Sequence, residues 1–160
     1  MSQRVGIGID LHRFGEERSR PLVLGGVTFP AETGLEGHSD ADVVAHAVCD
    51  ALLGAAGLGD MGLHFPDSDE RWRGADSLVL LFEVAARVKG AGYRLVNADC
   101  SVVTERPRLA SVREEMMEKL SAAAGGPVHV KATRPESLGA IGRVEGIACF
   151  AVATVEESGD

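Results

Sequence analysis

The closing segment, Ile147 to Val155, reads Ile-Ala-Cys-Phe-Ala-Val-Ala-Thr-Val and is apolar in both registers of an extended strand. Side chains alternate between faces with period two, so such a segment fits a strand that is shielded from water on both sides. Residues 95 to 103 repeat the pattern, with Val96, Ala98, Cys100 and Val102 expected on one face and Leu95 and Val103 on the other. Val5, Ile7 and Ile9 alternate with small or polar neighbours, and Leu22 to Pro30 predicts two short strands around Gly25 and Gly26. Val128 to Thr133 is a further strand.

Between these segments the apolar period becomes helical. A helix is expected to open at Ser39, with Asp42 completing a capping-box-like pattern. Val43, Ala47 and Ala51, with the row Val44, Val48 and Leu52, give it a broad apolar face, and Gly54 to Gly59 end it. A second helix, starting at 75 to 77, is expected to turn Leu78, Leu81, Phe82, Ala85 and Val88 inward. A third, over 108 to 124, turns Val112, Met116 and Leu120 inward. Phe14 to Arg20 reads as a mobile surface loop, and 57 to 77 as a long loop of the kind that is functional or disordered. The order of elements predicts an α+β fold, a single mixed β-sheet with helices packed on one face, in one domain over 1–160. Such a sheet has more apolar surface than its helices cover, which predicts an oligomer.

Composition narrows the function classes. The 160 residues, 45% hydrophobic, suffice for one core. Cys49, Cys100 and Cys149 are widely spaced in apolar runs, which predicts reduced thiols in a cytoplasmic protein and excludes a cysteine zinc site of CxxC type. No run reaches the ~18 apolar residues of a membrane span, and the N-terminus lacks the pattern of a signal peptide. A net charge of −8 with one Trp and one Tyr is a poor match to nucleic-acid binding. An anionic ligand must therefore be held by local cations, metals or helix N-termini.

The chemistry concentrates in three places. Asp10 and His12 share one face of a strand, with Leu11 expected in the core, and His46 lies on the first helix. Two nitrogens and one oxygen suit Zn²⁺ and can leave a fourth position open, which points to catalysis. Asp42, His46 and Asp50 lie on one helical stripe, so a carboxylate one turn away could orient the second nitrogen of His46, although for Asp42 capping is the expected role. His38 and Ser39, at the expected helix start, suit a phosphate. Finally, Lys131, Arg134 and Arg143 surround Glu136 in a glycine-punctuated segment, a pattern that suits a diphosphate with its divalent ion.

The segments GIDLHRF, LGG, GHSDADVVAHAVCDALLGAAGLGDMGLHFPDSD, WRGADS, Arg106-Pro107 and KATRPESLGAIGRVEGIAC resemble, in order and spacing, the 2-C-methyl-D-erythritol 2,4-cyclodiphosphate synthase family of non-mevalonate isoprenoid biosynthesis. The resemblance runs from about residue 4 to 155. It implies a homotrimer whose sheets meet around a trimer axis, with active sites between subunits. It also implies conversion of 4-diphosphocytidyl-2-C-methyl-D-erythritol 2-phosphate to the cyclic diphosphate and CMP.

By the same resemblance Asp10, His12 and His46 hold Zn²⁺, and Glu136 holds Mg²⁺ or Mn²⁺. Substrate contacts fall at Asp10, Leu11, His12, His38 and Ser39 and at Asp60, Met61 and Gly62. Phe65, Pro66, Asp67, Ser68 and Asp69 enclose the erythritol part. Thr104, Glu105, Arg106, Pro107, Arg108, Leu109 and Ala110 of an adjacent subunit form the cytosine pocket. Thr133, Arg134, Pro135, Glu136, Ala140 and Arg143 form the diphosphate region, and His38 and Arg134 are the expected catalytic residues. Arg134 and Pro135 stand where the family commonly has hydroxyl residues. Ala140 replaces a frequent Phe near an axial site for isoprenoid diphosphates. Two other classes stay open on the residues alone: a zinc phosphohydrolase releasing linear products, and a trimeric nucleotide-binding module without turnover.

Overall fold

The computed structural model describes residues 2–16 and 20–159. Four strands, β1 (Gln3–Arg13), β4 (Tyr93–Val103), β5 (Val128–Thr133) and β6 (Gly146–Glu157), form a mixed sheet in the order β1-β6-β4-β5. Only β4 and β5 run parallel; β6 is antiparallel to both its neighbours. Strands β2 (Pro21–Leu24) and β3 (Val27–Thr33) are the two short strands expected around Gly25 and Gly26, but they pair as a hairpin apart from the main sheet, so the strands do not form the single sheet expected. Gly25 and Gly26 turn it with φ of 56° and 75°, a left-handed pair that glycine adopts without a Cβ penalty. Three longer helices, α1 (Val43–Ala56), α3 (Ser77–Gly90) and α4 (Arg113–Ala124), pack on one side of the sheet, and α2 (Met61–His64) and α5 (Gly139–Gly142) are single turns. Of the loop expected at 14 to 20, residues 17–19 lie outside the described residues. Among the described residues no helix is long and apolar enough to cross a membrane.

Helix α1 is the centre of the core. Eleven of its fourteen residues are buried, and the three that are not, His46, Asp50 and Gly54, lie four apart on one stripe. It starts at Val43, not at Ser39, because Asp42 is the residue that caps it. The fully buried Asp42 carboxylate accepts N–H bonds from Val44 (3.0 Å) and Ala45 (3.2 Å), and from the hairpin turn at Gly25 (2.8 Å) and Gly26 (2.7 Å). One carboxylate thereby closes the helix end and docks the hairpin. Burial first, then the nearby Asp40 carboxylate, push its pKa up to about 6, against these four donors.

The pairing of α1 with β1 depends on Gly6 and Gly8. A Cβ on Gly8 would stand 1.9 Å from the Ala47 carbonyl oxygen, and one on Gly6 2.0 Å from that of Ala51. Even-numbered residues of β1 therefore face the helix, and Asp10 and His12 continue that face. Odd-numbered residues turn the other way. Leu11 is not in the core as expected but 59% exposed, on the uncovered face of the sheet with Val5, Ile7, Ile9, Phe150 and Val152.

Two other inner faces differ from expectation. A bulge between Leu95 and Asn97 takes Val96 out of register, so Leu95 joins Ala98, Cys100 and Val102 on the core side. Helix α3 buries Ser77, Leu80, Leu81, Val84 and Val88, whereas Phe82 is exposed and Leu78 and Ala85 are only half-buried. This rotation is consistent with Ser77, at the helix start, being bonded to the Asp40 carboxylate through both its N–H and its hydroxyl. Helix α4 starts at Arg113, after a turn over 110–112, and buries Met116 and Leu120 as expected.

Two substitutions test this frame. Gly8→Ala should cost about 3 kcal/mol or more, since backbone rather than a pliable side chain must give way. Asp42→Asn should cost about 1–3 kcal/mol, because a carboxamide turns an NH2 toward donors that need an acceptor. Denaturant unfolding measures both, and an unchanged midpoint for either variant would contradict the corresponding contact.

Candidate metal centre and substrate cavity

Two elements bring three ligands together. Asp10 and His12 come from the end of β1 and His46 from the exposed stripe of α1. Asp10 Oδ2 lies 3.1 Å from His12 Nε2 and 3.1 Å from His46 Nδ1. One ligand atom from each of the three lies within 4.8 Å of the others, close enough to share an ion. Among the described residues this is the one such cluster. The donor set, one carboxylate oxygen and two imidazole nitrogens, fits Zn²⁺.

The orientation of each ring is fixed. His12 Nδ1 is 2.6 Å from the Glu36 carbonyl, which can only accept, so the proton sits there and Nε2 is free to ligate. Burial works against the charge on Asp10, but the neighbouring His12 and His46 outweigh it and hold the carboxyl well below its usual range. Burial likewise opposes the charge on His12, and Asp10 more than offsets it, raising the His12 pKa. On the far side of His46, Nε2 lies 2.9 Å from Ser77 Oγ and 3.1 Å from Ser39 Oγ. Asp42 takes the capping role expected of it and leaves His46 to other partners, its carboxylate being engaged by the helix end and the hairpin turn.

The cluster opens into a cavity of about 380 Å³. His38, Ser39, Asp60, Met61, Gly62, Phe65 and Asp67 line it, as expected from the sequence. Asp50, Trp72, Leu80 and Gly37 also line it and were not foreseen. Asp50 was visible as a member of the His46 stripe; the apolar wall of Trp72 and Leu80 depends on how the 70–76 segment folds back and had no local signal. Phe65 packs edge-on to Trp72, with ring centroids 5.0 Å apart. Asp60 caps α2 through the Leu63 N–H (2.9 Å), and Asp50 accepts the Met61 N–H (2.8 Å).

His38 and Ser39 lie before the helix, not at its first turn, so they meet the cavity from a loop. That loop is tied at many points. Arg20 donates to the carbonyls of Leu35, Gly37 (3.2 Å) and Ser39 (2.5 Å). His38 Nε2 lies 3.1 Å from the Asp69 carbonyl, and the His38 carbonyl accepts the Gly74 N–H (2.7 Å). Pro66 and Ser68 are exposed beside the cavity, and Asp69 is engaged by Arg71.

The remaining expected residues form a separate place. Thr104, Glu105, Pro107, Arg108, Leu109 and Ala110, with Ala132 and Arg134, line a shallow hollow of about 170 Å³. Arg134 is held by Glu105 at 2.7 Å, and the second Glu105 oxygen accepts the Ser137 N–H. Arg106 faces Glu32 at 3.9 Å. Thr133 ends β5, and Pro135 and Glu136 follow it, Glu136 in the left-handed region with φ of 51°. Ala140 lies in α5, and Arg143 pairs with Glu145 at 2.7 Å. Within one chain, then, the metal ligands line one cavity, and Arg134 lies in the other hollow. Cys49 and Cys149 are buried with pKa values pushed up, Cys49 by burial and Cys149 by its Cys100 contact and burial, which leaves both as unreactive thiols.

Residues 3–156 match the YgbB family. A 2-C-methyl-D-erythritol 2,4-cyclodiphosphate synthase of Rubrobacter xylanophilus is 55% identical over 159 residues, covering 97% of this chain and 96% of its own. The bifunctional IspDF from Campylobacter jejuni superposes with a TM-score of 0.91 at 39% identity, over 98% of this chain and 42% of its own. The IspF of Plasmodium falciparum, solved as a CDP complex, gives 0.84 at 27% identity, over 98% and 97%. A match of this identity along nearly the whole chain places it in the YgbB family of 2-C-methyl-D-erythritol 2,4-cyclodiphosphate synthases, with the enzyme activity of that family.

Proposed function

We propose that the chain acts as one domain over 1–160 in a homotrimer, and that each active site joins the metal cavity of one copy to the hollow at Thr104–Ala110 of the next. The observation that carries this reading is the convergence of Asp10, His12 and His46 at the head of a cavity whose other walls suit a phosphorylated polyol. The uncovered sheet face supports the trimer. Val5, Ile7, Ile9 and Leu11 are 47–68% exposed in the single chain, a contiguous apolar stripe that association would bury. A CDP complex is known for the Plasmodium relative, and a cytidine diphosphate-linked substrate suits two half-sites of unlike character.

The reaction is an internal displacement. An oxygen of the 2-phosphate of 4-diphosphocytidyl-2-C-methyl-D-erythritol 2-phosphate bonds to the β-phosphorus, and the bond from that phosphorus to the bridging oxygen breaks, so CMP leaves with that oxygen. No protein nucleophile is needed; the chain must hold the phosphates in line and offset their charge. Zn²⁺ on Asp10, His12 and His46, and Mg²⁺ or Mn²⁺ at Glu136, would supply Lewis-acid neutralisation of the phosphate oxygens. His38 and Ser39 border the phosphates, while Asp60 and Asp67 accept from the erythritol hydroxyls. Phe65, Trp72 and Leu80 form an apolar wall that keeps water from competing with the internal attack. Arg134, presented with Glu105 from the neighbouring copy, directs its guanidinium at the transferring phosphate, the task for which the family commonly uses a hydroxyl.

Product mass and ³¹P analysis test the assignment. The protein with Mg²⁺ should release the cyclic diphosphate and CMP, and His46→Ala or chelation should abolish this; linear phosphates would show a hydrolase instead, and binding without turnover a nucleotide module. Arg134→Ala should lower kcat by about 10²–10³-fold with zinc content unchanged. In sedimentation the protein should run as three copies, and Ile7→Lys should yield folded but inactive monomers, since Ile7 is 64% exposed in the single chain and makes no part of its core. A monomeric, fully active wild type would overturn the shared-site reading.

A further inference from the structure

Ser77 is fully buried at the start of α3, yet its hydroxyl lies at the back of the metal cluster. It makes three side-chain contacts: with Asp40 Oδ1, very close; with His46 Nε2 at 2.9 Å; and with Ser39 Oγ at 3.4 Å. Asp40 also accepts the Ser77 N–H at Oδ2 (3.1 Å) and the Asp42 N–H at Oδ1 (3.1 Å). This ties the loop before α1 to the first residue of α3.

We propose that Asp40 and Ser77 are positioning residues that fix the tautomer and orientation of His46, so that its Nδ1 presents a lone pair to the metal. This deepens the reading of Asp10, His12 and His46 as a zinc centre and rests on it. The argument is one of proton direction. Asp40 is a carboxylate and can only accept, so the Ser77 hydroxyl proton points at Asp40 Oδ1. Were that proton turned toward His46, two oxygens in close contact would face each other with no hydrogen between them. The Ser77 oxygen is therefore left as an acceptor, and His46 Nε2 must be the donor. Ser39 Oγ, which already accepts the Ala41 N–H (3.2 Å), lies 3.1 Å from the same nitrogen and offers a weaker, shared acceptor. With the proton held on Nε2, Nδ1 is bare on the side of Asp10. The relay also sets the direction of the ring, because it ties His46 on α1 to Ser77 on α3. It parallels His12, whose ring is oriented by a backbone carbonyl.

The test measures Zn²⁺ affinity of the full-length protein by competition with a chromophoric chelator. Ser77→Ala should weaken binding by roughly 10- to 100-fold, the usual effect of losing a partner to a ligating histidine. Asp40→Asn, which leaves the hydroxyl but removes the charge that draws its proton, should weaken it as well, and serves as the test should Ser77→Ala fail to fold. In ¹⁵N-labelled, zinc-loaded protein the His46 Nε2–H resonance should be protected from exchange in wild type and lost to solvent exchange in Ser77→Ala, a readout that a merely structural role for Ser77 would leave unchanged. His46→Ala is the control. If it abolishes zinc binding while both other variants bind within about twofold of wild type, the relay is overturned. If His46→Ala binds zinc normally, the metal centre itself is wrong and the relay falls with it.

Discussion

The close contact of α1 with β1 is the constraint from which the rest of the site follows. Where Gly6 and Gly8 lack side chains, helix backbone comes within reach of strand backbone, with no room for even a methyl group between them. Beyond Gly8 the same face of the strand carries Asp10 and then His12, and the helix carries His46 immediately before Ala47, whose carbonyl occupies the space over Gly8. The separation of the ligand atoms is therefore set by main-chain packing, which is stiffer than any side-chain contact. A metal site built on two such elements keeps its geometry without a flexible loop.

Asp42 does for the ends of the elements what the glycines do for their faces. A buried carboxylate is costly unless each oxygen is well bonded, and this one has four N–H donors, two from the helix it caps and two from the hairpin turn. It also sits at the positive end of the α1 dipole, which favours negative charge there. Two residues earlier, Asp40 reaches to the start of α3. Short acidic side chains on one loop thus join the hairpin, α1 and α3 around the cavity, and Arg20 closes the loop from the other side.

Much of this was legible in the sequence because it follows from period and chain direction. The four sheet strands, the hairpin and the three longer helices come from apolar spacing and turn residues, and the alternation of β1 put Asp10 and His12 on one face. The same alternation could not say which face was the core. Ile7, Ile9 and Leu11 look like core residues and Gly6 and Gly8 like gaps, yet the glycine face is the packed one. The bulge at Val96 and the rotation of α3 were hidden for a similar reason, since both depend on partners distant in sequence. Ser77 read only as part of a helix start; its place behind His46 depends on Asp40, thirty-seven residues before it. Trp72 and Leu80 entered the cavity wall by the same route.

The chemistry explains why so much hydrogen bonding is invested around so few reacting atoms. An internal phosphoryl transfer supplies its own nucleophile, so the barrier yields mainly to alignment and charge neutralisation, and a shift of about 1 Å in a positioning group is costly. The three histidines around the cavity are accordingly held from behind: His12 by the Glu36 carbonyl, His46 by Ser77 and Ser39, and His38 by the Asp69 carbonyl. Arg134 is the exception in kind, an exposed guanidinium held by a single carboxylate, Glu105. In the proposed trimer that pair would meet substrate phosphate, which can compete with Glu105 for the guanidinium. The rigid half of the site would then define where the phosphates lie, and the neighbouring copy would bring in Arg134 a cation able to adjust to them.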